Sequence, residues 1–144
     1  MENLPLYTIK KNPSSIIPVK VKSSRDVYEL AKQFYGEDID VYESFFLVAF
    51  NSAMEAVGWA KISQGSINCT TVDIRLVAKY ALDALAIKCV LVHNHPTGNL
   101  NPSDADKELT EKIKNGLALL DIKVSDHLIV TSNGYYSFLD SGLL

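Results

Sequence analysis

Apolar positions along this chain fall into two rhythms that alternate from one segment to the next. From Ser24 the spacing is helical: Val27, Leu30, Ala31 and Phe34 line one face. A cap at Ser24 and a stop at Gly36 bound that helix at about residues 25–35. Phe45 to Phe50 is then an unbroken apolar run of strand length, and Ala56 to Ser63, around Trp59, is a second. With a turn at Asn51-Ser52 between them, the two are expected to pair as a hairpin. Ile74, Val77, Ala78, Ala81 and Leu85 return to the helical period, with Asp73, Arg75, Lys79 and Asp83 largely off the stripe. Thr70 or Thr71 is the expected cap and the helix is expected to end near Ala86.

Cys89 to Val92 is apolar on both strand faces, as a central strand covered on two sides requires. It runs directly into His93 and then into a polar, proline-punctuated loop from His95 to Pro102. Ser103 can cap a further helix with Ala105, Leu109, Ile113, Leu117 and Leu120 as its stripe. Ile122 to Val130 reads as a strand that ends before a turn at Asn133-Gly134. Ahead of all this, Pro5, Pro13 and Pro18 among Ser and Lys describe an extended arm over residues 1–22, with an edge strand at Ile16 to Val21. Residues 23–144 then form one α/β domain of two or three layers on a mixed sheet flanked by helices.

Composition supports a single domain, because 144 residues with 47% hydrophobic and 22% charged content fall in the ordinary globular range. No stretch approaches the roughly 20 consecutive apolar residues of a membrane-spanning helix, and the first residues lack an apolar signal core. The expected address is therefore the cytoplasm. Cys69 and Cys89 are too few and too separated for a disulfide framework, and Cys89 reads as a small buried side chain. A net charge of −3 gives no overall basic footprint for nucleic acid. Lys10-Lys11 and the basic positions from Lys20 to Arg25 read as solvated faces.

The chemistry is concentrated in His93-Asn94-His95-Pro96-Thr97-Gly98-Asn99-Leu100-Asn101-Pro102-Ser103-Asp104-Ala105-Asp106. Residues two apart in an extended segment share a face, so His93 and His95 can present two imidazoles to one point. Asp106, in the first turn of the next helix, can be brought back to them by the loop. Two His, one Asp and a water would make the open four-coordinate zinc site of an enzyme. The same residues have plainer uses. A His-x-His pair at a strand mouth can be hydrogen-bonded or surface-exposed, and Ser-x-x-Asp is close to a capping box. What favours the metal is the combination, since two of the three histidines in the chain end one buried strand with a carboxylate close behind.

This segment resembles the JAMM motif of MPN-domain metallopeptidases, which is His-x-His-Pro, a spacer, then Ser-x-x-Asp. With Asp126-His127-Leu128-Ile129-Val130 and the later Tyr136-Ser137-Phe138-Leu139, it is more specifically similar to the RadC group of bacterial JAMM-domain proteins, over roughly residues 20 to 144. The resemblance implies a cytidine-deaminase-like α/β architecture and a zinc ion bound by His93, His95 and Asp106. It implies that Ser103 bonds the developing oxyanion and that Glu43, at the head of the first strand, works the metal-bound water. By itself Glu43 reads as a solvated charge at a strand edge. In those roles the residues would hydrolyse amide or isopeptide bonds of a peptide or protein-conjugate substrate, since zinc can bring the pKa of water to about 7 and a nearby carboxylate can move its proton.

Asp126 and His127 read first as a strand-entry turn in which Asp126 satisfies a neighbouring amide or the imidazole. Asp126 can alternatively orient a metal-bound imidazole. RadC proteins usually carry a helix-hairpin-helix region ahead of this domain, and the residues before Ser24 are too few for one, so DNA binding by this chain alone is not expected. Thr97 stands where the family motif usually has Ser. The competing function is a non-catalytic DNA-repair accessory or scaffold module that keeps the fold. A zinc deaminase is not expected, because its His-x-Glu and Pro-Cys-x-x-Cys elements are missing. Oligomeric state is not legible.

Overall fold

The computed structural model describes residues 3–8, 10–65 and 71–144. Its elements in chain order are α1 (Ser24–Ala31), β1 (Ser44–Phe50), β2 (Ala56–Gln64), α2 (Ile74–Asp83), β3 (Lys88–Asn94), α3 (Asp104–Ala118), β4 (Lys123–Thr131) and β5 (Gly134–Ser137). Two short 3-10 turns, Lys32–Phe34 and Glu37–Asp40, lie between α1 and β1. The strands form one sheet in the order β2-β1-β3-β4-β5. β1 runs antiparallel to both β2 and β3, β3 and β4 are parallel, and β5 closes antiparallel on β4. The sheet is therefore mixed, and the one parallel pair is joined by α3, as a parallel connection requires.

Alternation along the central strands divides the interior in two. Phe45, Leu47, Ala49, Cys89 and Leu91 bury one face of the sheet against Val77 and Ala81 of α2 and Ile113 and Leu117 of α3. Phe46, Val48, Phe50, Val90 and Val92 bury the other face against Val27, Leu30 and Ala31 of α1. This makes three layers, with β1 and β3 covered on both sides as their unbroken apolar runs require. Burial pushes the Cys89 thiol up to about 12, as expected for a small side chain in this core; Cys69 lies outside the described residues.

Several local expectations change. Residues 16–21 form no strand; Ile16 and Val19 settle against the α1 side of the core, and the Gln33 side chain holds the Ile17 backbone through two 2.9 Å hydrogen bonds. Ser23, not Ser24, caps α1, because Asp26 accepts from the Ser23 amide in a capping box and Ser24 turns to Asp140. The α1 helix ends at Ala31 and Phe34 falls in the 3-10 turn. The cap of α2 is Asp73, which accepts from the Arg75 amide at 2.9 Å; Thr71 is not the cap and Thr70 lies outside the described residues. α2 ends at Asp83, so Leu85, with φ of 52°, leaves the stripe and is exposed. On α3, Ala105 faces solvent while Thr110 points inward, and the helix ends at Ala118, so Leu120 falls exposed in the turn beyond it. The turn after β4 is Ser132-Asn133, and Gly134 begins the unforeseen strand β5. Among the described residues no helix is long and apolar enough to cross a membrane.

Candidate metal centre

The topology brings three chain segments to the carboxyl end of β3. That strand delivers His93 on the face covered by α3, and Phe45 of β1 lies beside it in register with its ring stacked on the imidazole at 5.9 Å. The chain then turns: the His95 carbonyl accepts from the Gly98 amide at 3.0 Å, with Pro96 in the second position of the turn. Thr97 keeps a negative φ and Gly98 takes φ of 82°, which fits a type I turn followed by a left-handed residue. This arrangement sends the loop back over the strand end. The His95 amide bonds the Val130 carbonyl of β4 at 3.1 Å, and its ring Nδ1 meets the Asn99 carbonyl at 2.6 Å.

The same loop feeds Ser103, the cap of α3. Ser103 Oγ accepts from the Asp106 amide at 3.0 Å, and Asp106 Oδ2 accepts from the Ser103 amide at 2.8 Å. The capping box and the candidate ligand are thus one feature. The cap fixes the carboxylate at the helix start, where the macrodipole favours negative charge, and aims it at the imidazoles. Asp106 Oδ1 lies 3.3 Å from His93 Nε2, and Oδ2 lies 3.3 Å from His95 Nε2.

Glu43 completes the group from the residue before β1. Its Oε1 is 3.9 Å from both His93 Nε2 and His95 Nε2, and the residue is only 8% exposed, so it is not the solvated strand-edge charge that its position in the sequence suggests. Asn94, between the two histidines and on the opposite strand face, holds the approach to it. Asn94 Oδ1 accepts from the Ser44 amide at 2.7 Å, and its amide group donates to the Ile39 and Tyr42 carbonyls at 2.7 Å each. The sequence drew no attention to Asn94; its signal was a wholly polar side chain inside a strand end otherwise reserved for ligands.

Glu43, His93, His95 and Asp106 each offer one ligand atom, and these atoms all lie within 4.8 Å of one another. The donor set fits a metal cation. A carbonyl only accepts, so His95 Nδ1 carries a proton to Asn99, and in the neutral ring Nε2 presents a lone pair. That lone pair stands 3.0 Å from His93 Nε2 and faces two carboxylates. Burial pulls the His95 ring toward the neutral form, yet Asp106 and the Asn99 carbonyl outweigh it and raise its pKa. Burial likewise disfavours the Asp106 anion, but the two imidazoles that face it, His93 and His95, hold its carboxyl well below the usual carboxylate range. Both shifts have the same cause, a convergence point that favours positive charge.

Behind the cluster, Asp126 does not reach an imidazole. It accepts from the His127 amide at 2.7 Å, the Leu139 amide at 3.0 Å and the Ser137 hydroxyl at 2.7 Å, so it locks β4 to the end of β5 and the turn beyond it, with burial raising its pKa. Its contact with a neighbouring amide matches the plainer of its two expected uses, but Asp126 and His127 lie within β4 and not in a strand-entry turn. His127 itself is the residue that touches the cluster: its Nε2 lies 2.7 Å from His93 Nδ1, and Thr110 Oγ1 lies 2.6 Å from its other nitrogen.

Comparison with known proteins agrees with this geometry. The RadC-like JAB domain family matches residues 21–143. A UPF0758 protein of Flavobacterium johnsoniae is 43% identical over 124 residues, covering 86% of this chain and 53% of that protein. A UPF0758 protein of Porphyromonas gingivalis is 32% identical over 138 residues, covering 94% of this chain and 60% of its own length. The Escherichia coli (strain K12) UPF0758 protein YeeS is 42% identical over 102 residues, covering 71% of this chain and 69% of YeeS. The chain belongs to the RadC-like JAB domain family, and it spans between about half and two thirds of the first two relatives.

Proposed function

We propose that this domain is a zinc-dependent hydrolase of peptide or isopeptide bonds. The observation that carries this reading is the difference between the two carboxylates. Asp106 approaches each imidazole Nε2 to 3.3 Å, whereas Glu43 stands back at 3.9 Å from both. His93, His95 and Asp106 then serve as the metal ligands and leave one position open, the arrangement of a catalytic zinc site. A zinc ion held there supplies Lewis acidity and brings the pKa of a water molecule to about 7.

The chain's own groups do the rest. Glu43 stands at the edge of the ligand set, 3.9 Å from both imidazole nitrogens, where a carboxylate can take a proton from an attacking water and return it to a leaving amine. Its burial, with 8% of its surface exposed, limits the bulk water that competes for that proton. Among the described residues Ser103 Oγ is occupied only as an acceptor from Asp106, so its own hydroxyl hydrogen remains to meet negative charge developing on a substrate carbonyl. The net charge of −3 supports a peptide or protein conjugate over nucleic acid as substrate.

Glu43→Gln in zinc-loaded protein tests the reading, after a peptide and modifier-conjugate library has been screened with the unaltered domain. Zinc should stay bound and hydrolysis should fall by about 10²–10⁴-fold, the usual contribution of general acid–base catalysis. Undiminished hydrolysis by Glu43→Gln would remove the role given to Glu43. Stoichiometric zinc without cleavage of any library member would favour the accessory-module reading.

A further inference from the structure

The hydrogen-bond chain behind His93 has only one arrangement of protons that works. Thr110 Oγ1 lies 2.6 Å from the Asp106 backbone carbonyl, which can only accept, so the single hydroxyl hydrogen of Thr110 is spent there. Thr110 Oγ1 is also 2.6 Å from His127 Nδ1 and must accept at that contact, which puts a proton on His127 Nδ1. His127 is fully buried, flanked by Phe138 stacked at 4.7 Å and Phe45 edge-on at 5.5 Å, and so its ring is neutral. His127 Nε2 is then a lone pair, and the 2.7 Å contact to His93 Nδ1 is a hydrogen bond donated by His93. A neutral His93 with its proton on Nδ1 has its Nε2 lone pair aimed at Asp106 and His95.

We infer that Thr110 and His127 are positioning residues that fix the metal-binding tautomer of His93, in a relay that begins at His93 and ends on the backbone of Asp106. The inference rests on the metal-site reading above. It adds a reason for two residues outside the motif. The relay ties β3, β4 and the first turn of α3 together, so one threonine hydroxyl sets both the proton on one ligand and the seat of another. Asp126, which the sequence offers as the orienting group, is not part of it.

Partners that orient a metal-bound histidine are typically worth about 10–100-fold in metal affinity. Thr110→Val keeps the side-chain shape and removes the hydroxyl, leaving His127 Nδ1–H without an acceptor and freeing its ring to take the opposite tautomer. In competition with a chelating dye, Thr110→Val should bind zinc about 10–100-fold more weakly, and Thr110→Ser, which restores the hydroxyl, should stay within about threefold of the unaltered protein. Long-range ¹H–¹⁵N NMR of the zinc-loaded, unaltered domain should show His93 and His127 both protonated at Nδ1. A proton on Nε2 of His127, or equal zinc affinity in Thr110→Val and Thr110→Ser, would overturn the relay. Should Thr110→Val fail to fold, the tautomers of the unaltered domain still decide. Absence of zinc binding by the unaltered domain would instead sink the metal-site reading, and the His127 tautomer read in that metal-free protein would still test the relay.

Discussion

His93 and His95 are the same residue type two positions apart, and the molecule orients them by different means. His93 is 2% exposed, set in a wall of side chains: Phe45 stacks on its ring and His127, 34 residues away in sequence, takes its Nδ1 at 2.7 Å. His95 is half-buried in the loop beyond the strand, and its Nδ1 is held at 2.6 Å by a backbone carbonyl only four residues ahead. The first imidazole depends on tertiary structure and on particular side chains. The second depends on a turn, whose geometry Pro96 and Gly98 set locally. A cluster built in this way can tolerate loop side-chain changes that the wall cannot.

The sharpest break of that comparison is at the point where both arms meet. His95→Ala should abolish stoichiometric zinc, as should Asp106→Asn, since three ligands are needed for the open site. Asn at 106 can still accept from the Ser103 amide, so far-UV circular dichroism of Asp106→Asn should show α3 intact while elemental analysis shows the metal gone. One tightly held zinc in purified His95→Ala would mean that the ligands are assigned wrongly.

Metal removal should separate the arms themselves. Zinc at a free concentration 100 times its Kd adds about 2.7 kcal/mol to stability, and chelation takes that away. Amide exchange should then rise chiefly over residues 95–101, whose ties are mostly short-range hydrogen bonds within the loop itself, while Leu91 and Val92, fully enclosed in the sheet, keep their protection. A uniform rise in both segments would show that the wall relies on the metal as much as the loop does.

These differences also explain what could be read in the sequence. The strands Phe45 to Phe50 and Cys89 to Val92 were legible because central strands enclosed by two helix layers must be apolar at every position. His93, His95, Ser103 and Asp106 were legible because one strand, one loop and one helix start carry them within fourteen consecutive residues. Thr110 was not, and His127 stood out only as the neighbour of Asp126, without its contact to His93. A threonine beside an apolar stripe has no local mark of burial, and its partner lies across the fold, on β4. Periodicity tells which face a residue occupies, but not which polar atoms meet when the faces close. The edge strand expected at Ile16 to Val21 failed for a related reason: its extended, proline-flanked pattern also suits a segment held by the Gln33 side chain and by the packing of Ile16 and Val19 on the core.

A smaller effect is expected from the turn backbone. Gly98 has φ of 82° and nothing near the position a Cβ would take, so a substitution there costs only its conformational strain. Placing an L-residue in this region costs about 1–2 kcal/mol, and Asn tolerates it better than a β-branched residue. Gly98→Val should therefore weaken zinc binding by about tenfold or somewhat more, and Gly98→Asn by less. Equal losses in the two variants would show that a clash, not backbone strain, governs the loop.

The smallest effect should come from the residue that touches His95 most directly. Asn99 holds the His95 ring through its main-chain carbonyl, which every residue possesses, while its side chain accepts from the Asn101 amide at 3.0 Å. Asn99→Ala keeps the carbonyl and gives up one exposed hydrogen bond, worth about 0.5–1.5 kcal/mol. Since that loss falls on the loop's own turn, zinc affinity should change by less than about threefold, against about 10–100-fold for Thr110→Val in the wall. Measuring the two variants side by side by chelator competition makes the contrast quantitative. A large loss in Asn99→Ala would mean that the loop side chains, and not its backbone, carry the orientation of His95, and the division between the two arms would fail.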